Sequence, residues 1–499
     1  MTTDVVEQAA RLPRSLPRPL GRIETWRQAW LGMDRNASML GFVSTPLGII
    51  AVHVAFMIAM VATVQVSPLA AGLITATLAG CAVLPRHRLL IVTFASLAYF
   101  LVRPFRTHWL IEMTAKLSAE VPGGVNPLVL QISLCVVFLA AVYGWLTFQQ
   151  RSNGLISRRP LLVQLWAFGA FIVIGSYIPT GTWAFAIFWV FTAIWASSFW
   201  VLAYMMADLK AKNATPNIMR VGYMRPVWGG SATPIGKGHA YLSKFEAKDD
   251  KALAATRLKA VKLMVWAAIL DVMRLVLEQF IHGTLGIPTL HQAIAADMAG
   301  QAHGVAINWS ALIIDYFLDL ILIAYWGHVI VAIVRMLGYA IPRNTVNPLA
   351  SRTLAEFWNR YFFYFKELLV DFFFYPAFMR WFKKWPKLRT AFATFSAACF
   401  GNFLYHAMSE VHFFALLDPL TAFTNLSTFA FYSFGLAIGL IVSQLRGRRP
   451  RPEDGFWRYE VVPRVNVMMF FILLKVFDDI YGSGTLVDRF AFFFSLFGA

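Results

Sequence analysis

The stretch NASMLGFVSTPLGIIAVHVAFMIAMVATVQVSPLAAGLITATLAGCAVLP, residues 36–85, decides the fold, because it contains no Asp, Glu, Lys or Arg. A helix that crosses a bilayer needs about 20 mostly apolar residues. The stretch therefore has room for two transmembrane helices, with Pro68 in the turn between them. Residues 160–207 are also uncharged and hold two more helices, separated at 179–181, and residues 121–150 hold one. These runs predict a polytopic α-helical membrane protein.

Further apolar runs extend this prediction towards the C-terminus. The run 89–102 is short for a membrane span. The remaining candidate spans are approximately 260–281, 308–337, 391–414, 423–444, 465–481 and 485–498. We therefore expect an all-α fold with about ten to twelve transmembrane helices.

The composition excludes several classes of protein. Apolar residues make up 58% of the chain and charged residues 14%, whereas soluble chains are about 45–50% apolar and about 25% charged. A soluble globular protein, a disordered chain and a nucleic-acid-binding domain are therefore excluded. We attribute the net charge of +18 to basic cytoplasmic loops, which set the orientation of membrane proteins. Cys81, Cys135 and Cys399 lie in apolar stretches and are interpreted as small core residues.

The basic clusters predict how the chain is oriented and divided. If the run 89–102 crosses the membrane, every basic cluster falls on one side, which places the N-terminus in the cytoplasm. We expect residues 1–35 to form a basic cytoplasmic segment and residues 36–499 to form a single membrane-embedded domain. The largest polar insert, 206–262, carries eleven Lys or Arg residues against four Asp or Glu residues. It is interpreted as a solvated cytoplasmic loop, or alternatively as a docking surface for an acidic donor such as an acyl carrier protein.

Acidic residues inside apolar runs are candidate functional groups, because ionisable side chains are costly in a bilayer. They are Asp315, Asp319, Asp478 and Asp479. They are either charges that lie near a helix end or pair with an arginine of a neighbouring helix, or groups that couple proton movement to transport. His282, His291 and His303 lie in a segment expected outside the membrane, and their spacing does not predict a metal site.

A second polar group occurs around His406. This residue follows Thr390, the start of its predicted span, by a distance that corresponds to about 24 Å of helix. Asn402 lies one turn before His406, and Ser409 and Glu410 lie one turn after it, on nearly the same face. A histidine in such a position can act as a general base near neutral pH, although a structural histidine has the same pattern.

The segment before His406 reads PLASRTLAEFWNRY at 348–361 and DFFFYP at 371–376, followed by Tyr405-His406 in an apolar helix. This pattern resembles the signature of the membrane-bound O-acyltransferase family. Bacterial members such as alginate O-acetylases and the D-alanyl transferase of teichoic acids read Phe-Trp-x-Arg-Trp-His, then Arg-Asp-aromatic, then Trp-His. The resemblance covers residues 348–410.

This resemblance implies tilted helices, with interfacial or re-entrant segments, around a central tunnel. It implies that an acyl thioester, either acyl-coenzyme A or an acylated carrier protein, enters from the cytoplasm of a bacterial cell and donates to a hydroxyl acceptor. His406 is then the general base and Asn359 the second catalytic residue. Side chains expected to bind or orient the substrates are Asn402, Glu410, Trp358, Arg360, Tyr405 and Ser409. No bound cofactor, metal ion or nucleic acid is expected.

Two positions depart from the family pattern. Phe362 occupies the position of the first polar residue, and a register shift places Asn359 in that role instead. Val370 occupies the position of the basic residue before the aspartate. Two alternatives therefore remain open: a proton-coupled transporter or flippase that uses Asp315 and Asp319, and a catalytically silent scaffold of an envelope-assembly complex, which Phe362 favours.

Overall fold

A computed structural model describes residues 27–64, 67–105, 107–152, 159–209, 215–229, 235, 237–446, 451–478 and 484–498. Within these ranges the secondary structure is helical, apart from one isolated antiparallel bridge between Glu246 and Tyr339. Most of the predicted N-terminal basic segment lies outside the described residues, and so does Asp479. The all-helical prediction is confirmed for the described part of the chain.

The helices follow one another with short connections. In the first half they are α1 Ala37–Val43, α2 Pro46–Thr63, α3 Pro68–Val83, α4 Arg88–Val102, α5 His108–Glu120, α6 Pro127–Arg151, α7 Pro160–Gly175, α8 Trp183–Asp208, α9 Asn217–Val221 and α10 Gly238–Lys244. In the second half they are α11 Asp250–Glu278, α12 Leu290–Met298, α13 Val305–Met336, α14 Leu354–Tyr361, α15 Phe363–Leu369, α16 Tyr375–Arg380, α17 Pro386–Phe395, α18 Asn402–Ser409, α19 His412–Leu416, α20 Pro419–Leu445, α21 Val462–Lys475 and α22 Leu486–Ser495.

Several helices begin where the sequence predicts a boundary. Helix α3 begins at Pro68, where the first position of a helix tolerates the missing N–H of proline. The break between α7 and α8 falls at 179–181, and Gly181 there has a φ of +71°, which glycine adopts without steric strain. Helix α20 begins at Pro419 with the Asp418 side chain accepting from the N–H of Thr421, a usual N-cap arrangement.

Five helices in the described part of the chain are long and apolar enough to cross a membrane, namely α2, α6, α8, α13 and α20. The pair formed by α3 and the segment Pro85–Val102 passes the same test together but bends by 117°. This pair is either a broken span or a re-entrant loop. The structure thus supports an integral membrane protein, and the larger count of ten to twelve spans stays a prediction.

The bend between α3 and α4 bears on the predicted orientation, which requires residues 89–102 to cross the membrane. Arg88 lies at the bend and is buried, donating to the carbonyl oxygens of Gly338 at 3.3 Å and Ala247 at 3.4 Å. Its guanidinium is therefore fixed by the protein interior. Because α4 belongs to a bent pair, the cytoplasmic placement of the N-terminus stays a prediction.

The insert 206–262 differs from the predicted solvated loop. In its described part, Tyr223, Met224 and Val227 are each no more than 2% exposed and pack in the main hydrophobic core. Arg220 is also buried and pairs with Asp208 at 3.3 Å. The prediction of a solvated loop was wrong for this part, because its apolar residues pack in the hydrophobic core and Arg220 forms an ion pair with Asp208. Gly230, Pro234 and Gly236 lie outside the described residues.

Two of the four π-helical turns in the described part of the chain lie against each other. Val370–Phe374 lies between α15 and α16, and Ser396–Gly401 joins α17 to α18. Such turns widen a helix locally and are frequent at functional sites. They meet at Gly401, where a Cβ atom would lie 2.6 Å from Cδ2 of Phe373. Glycine is therefore required for the close approach that places α18 beside the segment 354–380.

Candidate functional site

An internal cavity of about 360 Å³ lies among α13, α14, α15, α18, α20 and α21. Its wall is mostly aromatic, and its polar groups fall into two sets. The first set comes from α18 and contains Asn402, Tyr405 and His406. The second set comes from α13 and the end of α21, and contains Asp319, Lys475 and Asp478. The volume is in the range of small-molecule binding sites.

His406 lies on the cavity wall, and its ring is held by aromatic side chains. It stacks on Phe429 of α20 with ring centroids 4.9 Å apart and an interplanar angle of 13°. Phe365 meets it edge-on at 6.5 Å. Asp478 is close enough to interact with it electrostatically. The imidazole is therefore oriented by packing and reaches a space that a small molecule can enter.

Asn402 is the second polar group of this set. Its side chain is 1% exposed, and within the described residues neither its amide nitrogen nor its carbonyl oxygen has a hydrogen-bond partner. It lines the cavity one helical turn before His406. A buried amide without a partner costs free energy, and such a group in a native protein is usually satisfied by a ligand or by water.

The break between α14 and α15 brings aromatic residues to the cavity. Phe362 lies at this break with non-helical backbone angles, φ −130° and ψ 64°. Buried Asn344 accepts hydrogen bonds from two backbone N–H groups at this break. Its main-chain oxygen accepts from the N–H of Phe363 at 3.0 Å, and its side-chain oxygen accepts from the N–H of Tyr364 at 3.2 Å. Trp358 and Phe362 consequently face the cavity.

The structure does not bring Asn359 into this site. Its side chain is exposed, and it is not among the residues that line the cavity. The reason is helical geometry: Trp358, Tyr361 and Phe362 face the cavity, and Asn359 is rotated by about 100° from Trp358. Arg360 also lies outside, where it pairs with Glu356 at 2.7 Å. The role predicted for Asn359 is therefore better met by Asn402.

Ser409 and Glu410 also face away from this cavity. The Ser409 hydroxyl donates to the carbonyl oxygen of Tyr405 at 3.1 Å and lines a separate space of about 10 Å³. The buried Glu410 carboxylate lies 3.4 Å from Nδ1 of His412. Because α18 ends at Ser409, Glu410 does not continue the face that carries Asn402 and His406. The predicted orienting role of Glu410 towards His406 is therefore not supported by the geometry.

Lys475 is a functional candidate that the sequence reasoning missed. Its ammonium pairs with Asp319, lies 3.1 Å from Oδ2 of Asp478 and lies 3.7 Å from Oδ2 of Asp315. A lysine inside the apolar run 465–481 was the available signal, since such a residue is expected to have an acidic partner. The expected partner on a neighbouring helix was an arginine, whereas Asp315 and Asp319 of α13 pair with this lysine of α21.

A second ionic cluster involves α15 and the π-helical turn that follows it. Lys237 is 3.0 Å from Oε2 of Glu367 and 2.9 Å from Oδ2 of Asp371, and Tyr204 donates to Asp371 at 3.3 Å. Partial burial opposes ionisation of Glu367, but hydrogen bonds from Lys366 and Lys237 outweigh it and lower the pKa of Glu367. Lys237 thus provides the positive charge that Val370 does not.

Comparison with known proteins gives no further assignment. No protein-family model matches the chain, and no curated protein matches it at a significant level. Within the described ranges, no group of three or more His, Cys, Asp or Glu residues is arranged to hold a metal ion. The chemistry available in the cavity is therefore that of one imidazole, one amide, several phenols and the Lys475 cluster.

Proposed function

We propose that this protein is a membrane-bound O-acyltransferase. The observation that carries the proposal is the position of His406, whose oriented imidazole faces an internal cavity beside the unpartnered amide of Asn402. A base and a hydrogen-bond donor at one cavity wall are the two groups that acyl transfer to a hydroxyl requires. The resemblance of residues 348–410 to the acyltransferase signature supports the same reaction class.

In the proposed reaction, His406 takes the proton of the acceptor hydroxyl. The resulting alkoxide oxygen forms a bond to the thioester carbonyl carbon, and the amide N–H of Asn402 donates to the carbonyl oxygen as it becomes negative. The carbon–sulfur bond then breaks, and the leaving thiolate receives the proton from His406. General-base catalysis contributes about 10²- to 10⁴-fold in rate, and removal of one oxyanion donor costs about 10²- to 10³-fold.

The donor is an acyl thioester, either acyl-coenzyme A or an acylated carrier protein, that approaches from the cytoplasm. The acceptor is a hydroxyl of a cell-envelope polysaccharide, a lipid or a small molecule. We place the protein in a bacterial inner membrane with the N-terminus in the cytoplasm, in keeping with its basic clusters.

A proton-coupled transporter or flippase is the second candidate. It is favoured by the carboxylates of Asp315, Asp319 and Asp478, which gather around Lys475 beside an internal cavity. A catalytically silent scaffold is the third candidate, because the aromatic Phe362 lies on the cavity wall at the position where the family signature has a polar residue.

The test compares purified protein in lipid nanodiscs with the His406→Ala variant. Acetyl-coenzyme A and palmitoyl-coenzyme A are supplied as donors, with choline, glucose or glycerol as acceptors, and the released thiol is measured. We expect thiol release to fall about 10²- to 10⁴-fold in His406→Ala. The matched control is His87→Ala, because His87 is exposed and is not among the residues that line the cavity.

Equal thiol release by the folded His406→Ala variant and the wild type would overturn the proposal. So would the absence of thiol release by the folded wild type with every donor and acceptor pair. In that case, wild-type proteoliposomes would be tested for uptake of these acceptor compounds driven by a proton gradient. Uptake that is lost in Asp319→Asn would identify the protein as a transporter.

A further inference from the structure

The end of the cavity formed by α13 and α21 has more negative than positive side chains. Three carboxylates, Asp315, Asp319 and Asp478, surround the single ammonium of Lys475. Lys475 is 8% exposed. Apart from His406, it is the sole basic side chain among the described residues that line this cavity. One lysine can neutralise only one carboxylate, so this end of the cavity has room for additional positive charge, supplied by protons or by a cation.

This imbalance is costly in the protein interior. A buried charge without a partner carries a desolvation penalty of several kcal/mol, which a paired charge largely avoids. A proton or a cationic ligand can supply the missing positive charge. Because two of the carboxylates and Lys475 are on the cavity wall, a ligand inside the cavity can reach them directly.

Tyr316 is an independent sign that a ligand belongs at this end. Its side chain is 6% exposed, and within the described residues its hydroxyl has no hydrogen-bond partner. It lines the cavity one helical turn before Asp319. A phenol hydroxyl buried without a partner costs free energy, and such a group in a native protein usually meets a ligand or water.

The remaining wall of the cavity is suited to a cation. Trp358, Tyr361 and Tyr432 contribute aromatic rings to the same lining. Aromatic faces attract ammonium groups, and the attraction is stronger when the cation is desolvated. The cavity therefore combines excess carboxylate with aromatic rings. A neutral polyol would hydrogen-bond to the carboxylates but would leave their charge uncompensated.

We propose that this end of the cavity binds the positively charged nitrogen of the substrate, so that the acceptor class is alcohols that carry an ammonium group. This assignment rests on the proposed acyltransferase function for the role of the hydroxyl. The ammonium lies against Asp319, Asp478 and Tyr316, and the hydroxyl of the same molecule is directed towards His406 on α18.

The test measures binding without chemistry. The full chain in lipid nanodiscs is titrated calorimetrically with choline and with a neutral alcohol in which a tert-butyl group replaces the trimethylammonium group. We expect choline to bind at least about tenfold more tightly than this neutral isostere. Equal affinities for the two alcohols would overturn the proposal.

Variants locate the binding. Asp319→Asn and Asp478→Asn are each expected to lower choline affinity about tenfold and to leave the affinity for the neutral alcohol unchanged. Glu112→Gln is the matched control, because Glu112 is exposed on α5 and does not line the cavity. Unchanged choline affinity in both aspartate variants would contradict the proposal.

A second measurement requires no variant. Choline, but not the neutral alcohol, should raise the melting temperature of the wild-type protein progressively as its concentration is increased. If choline does not raise the melting temperature above the effect of the neutral alcohol, the proposal is wrong.

Failure of this inference and failure of the proposed function give different results. Selective choline binding that depends on Asp319, without any thiol release from acyl donors, supports the cation site and removes the transferase. Transfer that depends on His406 but shows no preference for cationic alcohols supports the transferase and removes the cation site.

Discussion

The ammonium of Lys237 lies 2.9 Å from a carboxylate oxygen of Asp371. Lys237 belongs to the basic insert 206–262, and Asp371 belongs to the π-helical turn Val370–Phe374. The same ammonium reaches Glu367 at 3.0 Å. This contact joins the insert to the segment that forms one wall of the cavity, and it places a positive charge beside the aspartate.

Replacement of Lys237 by alanine should therefore destabilise the protein. We expect Lys237→Ala to lower the free energy of unfolding by about 1 to 3 kcal/mol, because charged hydrogen bonds to Glu367 and Asp371 are lost. Denaturant titration in detergent micelles measures the change. Lys251→Ala is the control, because Lys251 is exposed on α11; an equal effect of both variants would contradict this interpretation.

The Lys237 interaction should also depend on pH. Burial acts to raise the pKa of Glu367 in the folded protein, but hydrogen bonds from Lys366 and Lys237 outweigh burial, so the pKa is lowered. Its stabilising contribution is therefore complete above the ordinary pKa of glutamate and is lost as pH falls through the lowered value. The stability difference between wild type and Lys237→Ala should shrink on acidification. A difference that grows as pH falls would show that Glu367 is not the partner that matters.

The two asparagines should differ in their effect on activity. Asn402→Ala is expected to reduce acyl transfer about 10²- to 10³-fold, because it removes the amide beside His406. The variant should still fold, since this amide makes no hydrogen bond to the described protein. Asn359→Ala, on the exposed face of α14, should leave transfer unchanged. Thiol release and circular dichroism are measured for both variants, and the opposite ranking would return the catalytic role to Asn359.

A methyl group at Gly401 should disturb the packing of the two π-helical turns. In Gly401→Ala the new Cβ would lie 2.6 Å from Phe373 and 2.9 Å from Leu369, and such overpacking costs about 1 to 3 kcal/mol of unfolding free energy. Gly169→Ala is the matched control. Gly169 lies in a helix with no heavy atom near the added Cβ, so this change should stabilise the helix by up to about 1 kcal/mol.

A second substitution should partly restore the stability of the Gly401→Ala variant. Phe373→Leu should recover part of the stability that Gly401→Ala loses, because the smaller side chain vacates the position of the new methyl group. Additive losses in the double variant, measured by denaturant titration, would mean that these two residues do not compete for the same space.

Removal of Lys475 should be severe because it leaves three carboxylates without their cation. We expect Lys475→Met to cost about 3 to 5 kcal/mol of unfolding free energy, the range for breaking a buried ion pair. Addition of Asp319→Asn should recover part of that loss. Lys387→Met, at an exposed position, is the control. If the double variant is no more stable than Lys475→Met alone, the ion pair between Lys475 and Asp319 does not dominate the stability of this cluster.

The membrane class and several helix boundaries follow from the sequence alone. Uncharged runs of 18 or more residues appear as the helices α2, α6 and α8, and the breaks at Pro68 and at 179–181 lie where proline and glycine indicate them. These features depend on local chemistry, namely the length of an apolar run and the backbone preferences of single residues. The position of His406 on an apolar helix is visible in the same way.

The assembly of the cavity was decided only by the tertiary structure. Asn359 and Asn402 are equivalent amides in the sequence. The helix break at Phe362, where Asn344 accepts hydrogen bonds from the backbone, leaves Asn359 on the outer face of α14. The close contact between Gly401 and Phe373 places Asn402 at the cavity. Lys475 meets Asp315 and Asp319 only because α21 packs beside α13. Pairings between residues far apart in the chain depend on how helices pack, and a periodic apolar pattern does not specify which helices become neighbours.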